Sequence, residues 1–277
     1  MSWRIEVCHS SGYRYAEPVR ASYNEARITP LSTPQQTTIH SQVVVAPGAR
    51  TYRYWDYWGT LVHAFELHDP HGELTVVGTS TVETGMAPPG AGEATWAELE
   101  AVADRFAEYL EGTDHVPLDE EVATWAHEVG SGTPPEVVRA TVCGVADRLS
   151  YVPGATGVST SAVDAFHQRE GVCQDFAHLA LAALRSHGIP ARYVSGYLHP
   201  RAGADIGETV VGQSHAWVEA WLGDWVPVDP TNGSTPESRH VVVARGRDYA
   251  DVSPLRGIYS GGKAERLAVS VELTRVG

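Results

Sequence analysis

Residues 169–190 read REGVCQDFAHLALAALRSHGIP, a glycine and a lone cysteine leading into an apolar run. After Cys173, the residues Phe176, Leu179, Ala180, Ala183 and Leu184 mark one helical face, which predicts a helix starting near the cysteine. Gly188 stands where a helix-ending glycine belongs, and Pro190 forbids continuation. Cysteine is among the most buried residue types, so a lone one more often packs than reacts. Its position changes the balance. At a helix N-terminus the macrodipole and free N–H groups favour the thiolate, and the same N–H groups can donate to an oxyanion. Cys8 falls in a strand pattern and Cys143 in a helical one, so neither shares this setting.

Working outward, residues 1–85 read as strands: TTIHSQVVVAP and LTVVGTSTVET are β-branched and partly alternating, with turn-like HDPHGE between LVHAFEL and the latter. Residues 86–94, MAPPGAGEA, read as a linker. TWAELEAVADRFAEYL then carries Trp96, Leu99, Val102, Phe106 and Leu110 at helical spacing, and predicts an amphipathic helix. LDEEVATWAHEV and TPPEVVRATVCGVADRLS predict two more, the second with Thr133 as N-cap and prolines in its first turn. Beyond the cysteine helix come the strand-like stretches ARYVSGYL, SHAWVEAWL, WVPVDP, RHVVVARG and RLAVSVELTRV. Strands, then helices, then strands imply an α+β fold: an N-terminal all-β domain (1–85) and a core over 95–277 that includes the C-terminal strands.

Composition narrows the function. Of 277 residues, 20 are Lys or Arg and 34 Asp or Glu, a net charge of −14 that argues against general nucleic-acid binding and adhesion to anionic membranes. No secretory leader pattern opens the sequence, and no apolar run reaches the ~18 residues of a membrane span. Three separated cysteines without a C-x-x-C pair fit neither a disulfide framework nor a zinc knuckle, and the expectation is a cytoplasmic protein with reduced thiols.

A nucleophile needs a base, and the base an orienting group. His215 opens the apolar strand HAWVEAWL, whereas His178 and His187 share the cysteine's helix and cannot face its thiol. Asp229 follows on a second strand. With a three-residue loop, Leu222 to Asp224, it falls opposite Trp217 and shares a face with His215; with a two-residue Gly-Asp loop it points the other way. The sequence permits the first without forcing it.

Taken together, GVCQDFAHLALAALRSHGIPARYVSGY, SHAWVEAW and WVPVDPTNG resemble the core of the bacterial transglutaminase-like proteins, relatives of the papain-like cysteine enzymes. YRYAEPVRASYNEARITP through LTVVGTSTVET is similar to the family's N-terminal β region, and HVVVARGRDYADVSPLRGIYSGG to its C-terminal segment. The resemblance implies a papain/transglutaminase-like core with the nucleophile at a helix N-terminus packed on an antiparallel sheet. It assigns Cys173 as nucleophile, His215 as general base and Asp229 as the residue orienting the histidine. It also implies acyl transfer on an amide through a thioester, with a peptide or protein amide as substrate and no cofactor. Hydrolysis is the leading expectation; glutamine crosslinking and an idle binding or scaffold module are the alternatives.

Other residues carry less. Gln168, Gln174 and Gln213 are candidates for the side-chain oxyanion donor, and Arg247, Asp248 and Tyr249 for lining the cleft. Asp175 reads as a structural hydrogen bonder, because a negative charge so close would not help form a thiolate. Trp217, Trp221 and Trp225 read as core and cleft wall. The histidines show no H-E-x-x-H and no cysteine partner at ligand spacing, so no metal site is expected, and nothing fixes the oligomeric state.

Overall fold

Burial alternates along the first strand, β1 (Trp3–Ala26), with Ile5, Val7, His9 and Ser11 inward. The computed structural model describes residues 2–85, 92–212 and 214–277, so residues 86–91 of the expected linker and Gln213 lie outside the described residues. β2 (Gln36–Ala46), β3 (Thr51–Trp55), β4 (Leu61–Leu67) and β5 (His71–Thr84) complete an N-terminal antiparallel region. β1 changes partners midway: pairing with β5 is regular up to Arg14 and resumes only at Val19. Pro18 lies in the break, where its missing N–H costs no ladder bond.

The helical stretch follows as α1 (Trp96–Ala101), a 3-10 segment (Asp104–Tyr109), α2 (Glu120–Val129), α3 (Pro134–Arg148) and α4 (Ala162–Gln168). The long amphipathic helix predicted from residue 95 is therefore two short pieces, with non-helical backbone at Phe106. The Phe106 ring packs 4.6 Å from that of Trp221 and 5.4 Å from that of Trp225, and reaching them bends the chain. Two-residue strands β6 (Ser150–Tyr151) and β7 (Glu170–Gly171) pair in parallel just before α5 (Cys173–Ser186).

One apolar face understates α5. Every residue from 174 to 185 is buried, as in a helix packed on all sides. The buried Arg185 is accommodated because its guanidinium donates to the carbonyls of Glu111, Ala191 and Arg247. α5 lies on an antiparallel sheet in the order β11-β10-β8-β12, formed by β8 (Ala191–Leu198), β10 (Ser214–Trp221), β11 (Trp225–Val228) and β12 (His240–Gly246). On β10, Ala216, Val218 and Ala220 join the α5 core, and the residues between them face away from the helix.

The C-terminal strands depart from expectation. Grouped by sequence with the core, β13 (Leu255–Gly261) and β14 (Ala264–Arg275) instead pair with β1, completing an eight-stranded sheet with β9 (Thr209–Gly212) on its edge. Between them, α6 (Tyr249–Val252) carries the chain back from β12. Val271 and Leu273 share one continuous core with Trp3, Ile5 and the α5 residues Leu179, Leu181 and Leu184. Among the described residues, no helix is long and apolar enough to cross a membrane.

Leu273 is 1% exposed in this shared core. Leu273→Ala is therefore expected to destabilise the whole chain by about 2–5 kcal/mol. A urea titration followed by circular dichroism should show one transition at lower midpoint, rather than the loss of the N-terminal sheet alone.

Candidate active site

Cys173 is the first residue of α5, and helix geometry leaves the N–H groups of Cys173 and Gln174 without intrahelical acceptors. The helix start is held by Asp175, whose Oδ2 accepts from the Val172 N–H at 2.7 Å and from the Thr156 hydroxyl at 2.6 Å. A Cβ on Gly171 would fall 2.6 Å from the Asp175 Cβ, so only glycine lets the two approach. Burial outweighs these bonds and raises the Asp175 pKa.

The hairpin has the three-residue loop. Trp221 pairs with Trp225 and Val218 with Val228, so the next position, Asp229, comes opposite Trp217 on the face that carries His215. His215 Nε2 lies 2.7 Å from Asp229 Oδ2. With Nε2 so engaged, Nδ1 is the nitrogen left to face Cys173, which lies close enough to help raise the imidazole's pKa. The thiol also lies 3.9 Å from the Ser214 carbonyl oxygen. The structure thus brings Cys173, His215 and Asp229 together, with the imidazole bonded to the carboxylate.

Two residues not singled out from the sequence complete the Asp229 environment. Asn232 Nδ2 donates to Asp229 Oδ2 at 2.7 Å, and the Thr231 and Asn232 N–H groups donate to Oδ1. His240 Nε2 lies 3.4 Å from Oδ2, while its Nδ1 accepts from the Glu237 N–H at 3.1 Å. That acceptor role puts the His240 proton on Nε2, facing the carboxylate. Asn232 belongs to the DPTNG turn and was within reach of the sequence. His240 was not, because it opens an ordinary β-branched strand with no spacing that marks it.

The charges follow from these contacts. Burial opposes ionisation of Asp229, but donors from His215, His240 and Asn232 win and hold its pKa well below the usual carboxylate range. Burial likewise opposes the His215 imidazolium, yet its bonds to Asp229 and Cys173 raise its pKa to about 9. For His240 burial prevails and its pKa falls, leaving a neutral donor. His215, Asp229 and His240 offer three donor atoms within 4.8 Å of one another. A metal on His240 Nε2 would require a proton on Nδ1, where the Glu237 N–H already donates, so this set fits a hydrogen-bonded network better than a cation.

The remaining candidates have other partners. Gln174 donates to the Val158 carbonyl, Gln168 is exposed at the end of α4, and Gln213 lies outside the described residues. His178 is fully buried, stacked on His115, and accepts from the Tyr249 N–H, while His187 bonds the Ala126 carbonyl. Arg247 pairs with Asp251, and Asp248 caps the turn at Ala250. Tyr151, half exposed, stands close enough to Cys173 to be influenced by its charge.

A thiol at a helix N-terminus, joined to an imidazole and a buried carboxylate on an antiparallel sheet, defines the papain/transglutaminase-like class. Residues 123–230 match the transglutaminase-like superfamily and residues 5–83 the bacterial transglutaminase-like N-terminal region. The chain belongs to this family. An uncharacterized protein of Mycobacterium leprae (strain TN) is 50% identical over 277 residues, 99% of either chain. A proposed cysteine protease of Cytophaga hutchinsonii has the same fold, with a TM-score of 0.79 at 22% identity, over all of this chain and 93% of its own. A protein-glutamine gamma-glutamyltransferase of Pseudomonas aeruginosa is 36% identical over 115 residues, 38% of this chain and 17% of that protein.

The His215–Asp229 pair implies a pH dependence. The folded His215 pKa of about 9 exceeds its ordinary 6.5, so the associated stability is fully present below 6.5 and lost as pH rises through 9. His215→Gln should then destabilise the protein on the order of 3 kcal/mol more at pH 6 than at pH 10, measured by urea unfolding.

Proposed function

We propose that the protein is a cysteine-dependent amide hydrolase in which Cys173 is the nucleophile, His215 the acid–base and Asp229 the group that orients His215. The placement of the Cys173 sulfur beside an imidazole that is itself bonded to buried Asp229 Oδ2 carries this reading. The thiolate attacks the carbonyl carbon of a peptide or protein amide, and the developing oxyanion lies toward the Cys173 backbone N–H. His215 gives its proton to the leaving nitrogen, the C–N bond breaks, and an amine or ammonia departs from a thioester. Water then attacks the thioester with His215 taking its proton, and collapse of the intermediate releases the acid and the thiolate. Metal ions and organic cofactors have no part in these steps.

Amine transfer is the second reading, because a named gamma-glutamyltransferase is similar over 115 residues. It differs only in the last step, where a primary amine replaces water. The three free cysteines suit a reducing, cytoplasmic setting, and the net charge of −14 disfavours nucleic acid or anionic membrane as partner.

Iodoacetamide at neutral pH, read by peptide mass spectrometry, tests the activated thiol. Cys173 should label faster than Cys8 and faster even than exposed Cys143, and His215→Ala should abolish the advantage. Equal rates at the three cysteines would contradict the proposal. A glutamine peptide offered with and without a primary amine separates the readings: free glutamate alone supports hydrolysis, and an amine adduct supports transfer.

A further inference from the structure

One carboxylate oxygen serves two imidazoles. Asp229 Oδ2 has His215 Nε2 at 2.7 Å and His240 Nε2 at 3.4 Å, and the two rings stand 6.0 Å apart. Asn232 Nδ2 is a third donor to the same oxygen, at 2.7 Å. Only one of the two imidazoles reaches toward Cys173, so the second needs a different role.

Geometry sets the state of His240. The Glu237 N–H donates to its Nδ1 at 3.1 Å, which leaves no proton on that nitrogen and puts the single ring proton on Nε2. The ring is buried and meets Trp217 edge to face at 5.3 Å, and Trp217 in turn stacks on His215 at 6.0 Å. The charged and titratable groups that act on it are Asp229 beyond β11, His215 on β10 and its own neighbour Arg239, while Glu237 is exposed. Asp229 does not need His240 to hold its place. The Thr231 and Asn232 N–H groups secure Oδ1, and backbone bonds with Ser234 fix the turn. What His240 adds is a claim on the charge of Oδ2. A carboxylate bonded by a neutral donor attracts a second partner's proton less strongly, so His215 releases its proton more readily. At 3.4 Å the bond is long beside that of His215, and the share it takes is the smaller one.

We propose that His240 is a positioning residue that sets where the His215 proton rests: its Nε2–H takes part of the Asp229 charge and keeps the imidazolium able to give its proton away. In the acyl-transfer reading that proton goes to the leaving nitrogen, and a carboxylate without the competing donor would retain it. The consequence for turnover rests on that reading, whereas the sharing of Asp229 does not.

Nuclear magnetic resonance of the full chain, isotope-labelled at its histidine rings, tests the proposal by following His215 through a pH titration. His240→Leu removes the donor, and the His215 midpoint should rise by about half a pH unit or more. His240→Gln keeps an N–H that reaches Oδ2, and the midpoint should stay within about 0.2 unit of the wild type. Should His240→Leu fail to fold, the wild-type ring decides: its nitrogen shifts near neutral pH should show the proton on Nε2. An unchanged or lower midpoint in folded His240→Leu, an equal rise in both variants, or a His240 proton on Nδ1 would overturn the proposal. The midpoint is read without turnover, so failure of the catalytic reading, seen as equal labelling of the three cysteines, is separate from failure here.

Discussion

The hydrogen bond from His215 to Asp229 rests on the length of one turn. Trp221 and Trp225 form the last pair of the hairpin, leaving Leu222, Gly223 and Asp224 as the loop. Gly223 adopts φ +91°, which a residue with a side chain rarely tolerates. Deleting one loop residue would shift the register and turn Asp229 to the opposite face of the sheet. The far end of the strand is fixed as well, because Asp229 and Ser234 exchange backbone hydrogen bonds around the turn that carries Asn232. The carboxylate is thus placed by backbone on both sides, and the imidazole follows it.

That placement allows a charge to be buried where one is needed. A fully buried carboxylate is costly unless donors surround it. Asp229 receives side-chain donors from His215, His240 and Asn232 and backbone N–H groups from Thr231 and Asn232, and it stays ionised. Its charge in turn sustains the His215 imidazolium. Across the imidazole, the α5 N-terminus offers its partial positive charge to the Cys173 sulfur. Burial raises the Asp175 pKa, against the hydrogen bonds from Thr156 and Val172 that lower it.

Much of this was legible in the sequence, for local reasons. The α5 helix announces itself through apolar spacing and Gly188, and the hairpin through alternation around Gly223. Both depend on neighbours a few residues away. Long-range pairing was not legible: nothing local in residues 264–275 shows that they return to β1 across the whole chain. The same blindness hid His240, which gains its meaning only when β12 lies beside β8 and its ring meets Asp229. The straight helix read from Trp96 to Leu110 failed because the Phe106 ring docks with Trp221 and Trp225, a tertiary contact that overrides periodicity.

The C-terminal strands also join the N-terminal region and the core through one shared set of buried residues. β14 contributes Val271 and Leu273 to the same continuous core as the α5 residues Leu179, Leu181 and Leu184. The central claim is that this assembly makes Cys173 the acyl-accepting atom, and a covalent trap tests it most directly. Treating the protein with p-nitrophenyl acetate and weighing the intact chain should reveal a single acetyl group on Cys173, released by hydroxylamine and slow to form in His215→Ala. Acetylation that proceeds at the same rate in Cys173→Ala, or that maps to another residue, would contradict the account.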